Sequence, residues 1–161
     1  MKTKKKIIIC LSWLCVISSM IMIFALSMQN AETSSQTSKS QIETILSAII
    51  GKENVTEELV KSFQIPVRKL AHFGVYMLLG FCLANAFKQT FNTKLTFISI
   101  LVGCAYSFID EFVYQNVSQG RGPSIIDVMI DTSGVIIGFG LLLLVLFINK
   151  KFPNKRKKQQ A

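Results

Sequence analysis

Four carboxylates and an arginine crowd one stretch between two apolar segments. It reads FIDEFVYQNVSQGRGPSIIDVMIDTSG, residues 108–134, and carries Asp110, Glu111, Arg121, Asp127 and Asp131. Upstream, Arg68, His72, Tyr76 and Gly80 recur every four residues and so share one helical face. Asp127, Asp131, Gly134 and Gly138 also fall on a single face, with the acids at one end and the glycines beyond them. An imidazole beside carboxylates can manage protons, and guanidinium or ammonium groups recognise phosphate or carboxylate. Three roles suit the set. It is an ion-pair lock holding Arg68 and Arg121 against the acids, a pocket for an anionic headgroup bound by Arg68, Lys69 and Arg121, or a catalytic group. In the catalytic case His72 is acid or base, and Asp110 or Glu111 orients it. No H-E-x-x-H spacing, P-loop, G-x-S-x-G elbow or dinucleotide fingerprint occurs, so neither a metal site nor a cofactor is expected.

The elements that position these residues are hydrophobic. Only 17% of the chain is charged and its mean hydropathy is +0.45, which points away from a soluble domain. Apolar runs long enough to cross a bilayer, roughly 17–25 residues, set the class. The first spans 7–28, the second about 70–87, the third about 95–113 and the fourth about 125–149. The expected fold is therefore all-α, with four transmembrane helices forming one membrane domain; its core is 68–149. Basic tails, 1–6 and 150–161, flank it, and Lys88 and Lys94 bracket the link between the second and third spans. Positive charge is retained in the cytoplasm, so a multi-pass cell-membrane protein with both termini cytoplasmic is expected. That distribution also explains the net charge of +9 without nucleic acid. The first span, with Ala25-Leu26-Ser27 near its end, has some features of a signal peptide, but its apolar run exceeds the usual 7–15 residues and retention is expected. Cys10, Cys15, Cys82 and Cys104 all lie in spans and read as small apolar residues.

Residues 29–67 form the long outer segment. QNAETSSQTSKS reads as a polar connector, followed by an amphipathic stripe of Ile42, Ile45, Leu46, Ile49 and Ile50 that stops at Gly51. A second short helix, capped by Asn54 and Glu57, is expected to end before Pro66. Past the glycines of the 114–123 link, Ser124 is a good N-cap with Asp127 at the capping-box position. Asp131 lies too deep for that explanation. It is about 10 Å along the helix, where an unpartnered acid in hydrocarbon costs about 2.5–3.5 kcal/mol, so it should face protein or water. Adjacent helical residues point about 100° apart, so one of Asp110 and Glu111 is expected to line the cluster and the other to reach the surface.

These blocks resemble the VanZ-like family of bacterial membrane proteins. The resemblance rests on SMQNAETSSQTSKS, on RKLAHFGVYMLLG, and most specifically on DEFVYQNVSQGRGPSIIDVMIDTSGVIIG. It marks Arg68, Lys69, His72, Tyr76, Asp110, Glu111, Gln115, Arg121, Ser124, Asp127, Asp131 and Gly134, with Asp131 at a position where Asn is also found. The resemblance implies a small envelope protein associated with resistance to teicoplanin-type glycopeptides. The function expected is binding or modulation of an envelope component at the outer membrane–water interface. Catalytic roles for His72, Asp110 and Glu111 belong to the alternative, a membrane-embedded hydrolase or transferase acting on a phospholipid or lipid-linked cell-wall precursor. The expected partners are membrane lipids and either such a precursor or a glycopeptide. A proton-coupled transporter is disfavoured, because four helices without an inverted repeat make a small transport unit.

Overall fold

The computed structural model describes residues 2–29, 31–91, 95–114 and 123–151, and every described element is helical. They are α1 (Lys2–Ser27), α2 (Ala31–Ile50), a 3₁₀ turn at Lys52–Asn54, α3 (Glu57–Phe91), α4 (Ile98–Ile109) continued by a π-helical turn (Asp110–Tyr114), and α5 (Ile125–Lys151). Among the described residues, three helices are long and apolar enough to cross a membrane: Thr3–Ser27, Glu57–Phe91 and Ile125–Lys151. α4 is shorter than a span, at 12 residues.

α3 is the axis of the bundle. It runs parallel to α5: Lys69 meets Asp127, Gly134 packs on Phe73 and Tyr76, and Gly138 packs on Met77 and Phe81. A β-carbon at Gly80 would collide with the Val135 backbone, and one at Gly138 with the Met77 carbonyl. Small residues thus set the approach of these two helices, as is common where lipid supplies no hydrophobic drive. α1 runs antiparallel to α3. The Asn85 amide donates to Ser12 Oγ at 3.1 Å and the Trp13 indole to Thr90 Oγ1 at 3.0 Å. α4 lies antiparallel to α5, with Gly103 against the Val135 side chain and Ser107 donating to the Val128 carbonyl. Val16, Ile23, Tyr76, Leu79, Leu83 and Val135 form the core. Around it, outward-facing residues such as Leu14, Ile21, Leu101, Met129 and Phe147 leave an apolar coat suited to lipid.

Residues 29–67 depart from expectation in three ways. QNAETSSQTSKS is not an irregular connector, because α2 already begins at Ala31. Its hydroxyls bond back into the helix, Ser38 Oγ to the Ser34 carbonyl and Thr44 Oγ1 to the Ser40 carbonyl, each at 2.8 Å. One face is then closed against the bundle by buried Ser34 and Ile42. Gly51 ends α2 at φ +84°, a conformation that side chains resist. The second short helix also does not stop before Pro66, since α3 runs through that proline. A proline interior to a helix removes one backbone bond, and the buried Val60 before it keeps the first turns docked. The cap is Thr56 rather than Asn54, with the Leu59 N–H donating to Thr56 Oγ1 at 3.3 Å. Asn54 instead donates its amide to the Ile50 carbonyl at 2.7 Å. Lys39 ties α2 to the start of α3 by donating to Glu57 Oε1 at 3.0 Å. That hydrogen bond and the Glu57 charge raise the exposed Lys39 ammonium above its ordinary pKa.

Candidate functional site

The site lies at the end of the bundle where α1 finishes and α5 begins, opposite the basic ends at Lys4–Lys6 and Lys150–Lys151. Its outermost layer organises the first turn of α5. Ser124 is the N-cap, and its hydroxyl accepts the Asp127 N–H at 3.3 Å. The reciprocal half of a capping box is missing. The Ser124 N–H donates to Glu111 Oε1 at 2.9 Å, and the Asp127 carboxylate pairs with the Lys69 ammonium at 2.7 Å. The ion-pair lock therefore runs through Lys69 among the described residues. Arg68 makes no ion pair with any of them.

Four residues further along α5, about 6 Å deeper, the polar set closes in. Asp131, Asp110 and Glu111 are each no more than 1% exposed. The expectation that one of the adjacent acids of α4 would reach the surface is thus corrected. Both are buried because the helix widens into a π turn from Asp110 onward. This insertion re-aims side chains and often marks functional sites. The two acids then serve different neighbours. Asp110 Oδ2 accepts the Ser27 hydroxyl of α1 at 2.7 Å, while Glu111 holds the N-terminus of α5.

His72 of α3 completes the set. One ligating atom from each of His72, Asp110 and Asp131 lies within 4.8 Å of the others. The Tyr76 hydroxyl is fully buried close to both aspartates, without a well-formed hydrogen bond to either. Both oxygens of Asp131 are buried with no hydrogen-bond partner among the described residues.

Among the described residues, two cavities meet this cluster. One of about 30 Å³ is lined by Arg68, Lys69, His72, Asp127, Ile130 and Asp131. The other, about 170 Å³, lies between α2 and α3 and is lined by Ser34, Thr37, Ser38 and Gln41 facing Arg68 and His72. Arg68 and His72 thus belong to both walls. The structure brings together Arg68, Lys69, His72, Tyr76, Asp110, Asp127 and Asp131, with Glu111 and Ser124 as the brace beside them. Gln115 and Arg121 lie outside the described residues.

Sequence reasoning missed Ser27 and the hydroxyl face of α2 as parts of the site. Ser27 ends an apolar run like many other serines, and only the fold shows that it meets Asp110. For α2, the signal was the polar block itself, which carries no obvious periodicity until it is set against α3.

The sequence model of the family described as VanZ/LLP1 matches residues 12–147, which include every described residue of the site. No curated protein and no solved structure matches the chain.

Proposed function

This chain belongs to the VanZ/LLP1 family, and from that premise we propose that it binds the phosphate-bearing headgroup of a lipid or lipid-linked envelope component at the outer membrane–water interface. Through that binding it would contribute to resistance against glycopeptides of the teicoplanin type. The observation that carries this reading is Arg68: a guanidinium with no ion pair among the described residues, set between the two cavities and one turn outside a buried polar cluster. Guanidinium is suited to planar, bidentate recognition of phosphate oxygens. An outer location is supported by the basic ends at the opposite end of the bundle, since positive charge marks the cytoplasmic side. The binding test is native mass spectrometry of purified protein in nanodiscs made from an envelope lipid extract. A specific phospholipid or lipid-linked phosphate should be retained by the wild type and reduced at least tenfold in Arg68→Ala. Equal retention by both would remove Arg68 from recognition.

The reading includes a fourth crossing. The parallel run of α3 and α5, with α4 and its π turn antiparallel beside α5, supports it. At 1.5 Å per residue α4 covers about 18 Å, and the π turn Asp110–Tyr114 extends it. Both termini are then cytoplasmic and α2 is outside. In a background free of native cysteines, Ser40→Cys should react with an impermeant thiol reagent in intact cells and Lys150→Cys should not. The reverse pattern would turn the site toward the cytoplasm.

A second reading, a hydrolase or transferase acting on the same class of lipid, is favoured by the proximity of the His72 imidazole to two buried carboxylates. Here His72 transfers the proton and Asp110 orients it. Turnover of the retained lipid that is lost in His72→Ala supports this reading; retention without turnover leaves the binding function alone.

A further inference from the structure

We infer that His72, Asp110 and Asp131 form a site for a first-row divalent cation of the Mn²⁺ or Zn²⁺ kind. None of the three is close to another in the chain: they come from α3, the π turn and α5, and the fold brings one donor atom of each within 4.8 Å of the others. A cation with bonds of about 2.0–2.2 Å holds its donors roughly 3–4.4 Å apart. Small side-chain rotations close that difference.

Asp131 supplies the independent argument. A carboxylate that is 1% exposed and has no hydrogen-bond partner for either oxygen among the described residues is an expensive feature in a membrane helix. Among the described residues, Lys69 is drawn to Asp127 and no ion pair joins Arg68 to Asp131. A divalent ion between Asp131, Asp110 and His72 would satisfy those oxygens and take both carboxylates as ligands. The remaining carboxylate, Glu111, is held by the Ser124 N–H and stays outside the set.

The donor chemistry sets the class of cation. One imidazole with two carboxylates is too nitrogen-rich to favour Mg²⁺ or Ca²⁺, and the set contains no thiolate to favour Cu⁺. Metal-ligating carboxylates are themselves held by outer partners, and Asp110 has one in the Ser27 hydroxyl at 2.7 Å. Three protein donors leave further positions of the ion for water or an anion. The smaller cavity, with Arg68 and Lys69 on its wall, opens onto Asp131 and His72 from that side. Cation binding as such requires no headgroup, so this inference stands or falls apart from the lipid reading.

The test uses the full-length protein in nanodiscs of zwitterionic phosphatidylcholine, stripped with chelator and corrected against empty nanodiscs. Mn²⁺ is titrated by electron paramagnetic resonance, and Zn²⁺ and Ca²⁺ are added as competitors. The expected result is one Mn²⁺ per chain, displaced by Zn²⁺ far more readily than by Ca²⁺. Affinity should fall at least tenfold in Asp131→Asn and His72→Ala, and about tenfold or more in Ser27→Ala, which touches no cation itself. Should the first two variants fail to fold, the wild-type melting temperature decides: it must rise with Mn²⁺ or Zn²⁺ and return on chelation. No saturable binding, binding unchanged in the folded variants, or a melting temperature indifferent to the cation would overturn the site.

Discussion

Gly138→Val is expected to break the bundle apart, whereas Gly140→Val, two residues away on the same helix, is expected to be tolerated. A β-carbon at position 138 would collide with the Met77 carbonyl and come within 2.7 Å of the Phe81 nitrogen, while one at position 140 meets nothing within 4 Å. The obstruction at 138 is backbone, which no side-chain rotation relieves, so α3 and α5 must separate. Overpacking ordinarily costs about 1–3 kcal/mol, and here separation would also loosen Tyr76, Leu79 and Val135 in the core. The expected loss is about 3 kcal/mol or more for Gly138→Val, against about 0.5 kcal/mol either way for Gly140→Val. Both substitutions are glycine to valine in one helix, so propensity and lipid partitioning largely cancel. Thermal unfolding in detergent, read by size-exclusion recovery, measures the difference. Equal recovery of the two variants would mean that α3 and α5 do not pack through Gly138.

Asp131→Leu is expected to abolish function in a protein that still inserts, while Asp127→Asn leaves most of it. The two acids share one face of α5 but have different work. Asp127 is about a third exposed and pairs with Lys69, itself about a third exposed; such a pair contributes about 0.2–1 kcal/mol. Its loss leaves the helix start intact because the cap is Ser124 and the brace is Glu111. Asp131 touches the buried cluster directly, and leucine there favours the hydrocarbon while deleting both oxygens. Headgroup retention in nanodiscs should drop more than tenfold for Asp131→Leu and less than threefold for Asp127→Asn at matched membrane levels. Equal losses would erase the distinction between an interfacial pair and a buried functional group.

How much of this was visible in the chain depends on the length scale of the signal. The four-residue recurrence of Arg68, His72 and Tyr76 and the matching face of Asp127 and Asp131 follow from helical periodicity, and the fold brings those faces together. The glycines placed behind them also read correctly as points of close approach. The fate of Asp110 and Glu111 did not, because the 100° rule assumes an α-helix and the chain there is a π turn. Nothing in DEFVY announces an i→i+5 pattern. Pro66 misled for a related reason. It disfavours a helix locally, yet packing on either side carries α3 through it. The serine-rich start of α2 has weak helical propensity and gains its structure from contact with α3, which only the assembled fold contains.

Whether His72 and the aspartates work as one site is tested most directly by a double-mutant cycle on His72→Ala and Asp110→Asn. The two side chains come from different helices, and their donor atoms lie within 4.8 Å of each other. Groups that act together lose most of their effect with the first substitution, so the second should cost little more. The quantity measured is headgroup retention in nanodiscs, with glycopeptide susceptibility in cells as the parallel readout and membrane levels checked by immunoblot. Glu111→Gln serves as the comparison, since its carboxylate holds the Ser124 N–H and acts through the start of α5. A more than tenfold loss is expected for each of His72→Ala and Asp110→Asn, and a double mutant within about threefold of either. Fully additive losses for that pair would contradict a single site, leaving His72 and Asp110 as separate structural contacts that happen to share a buried corner of the bundle.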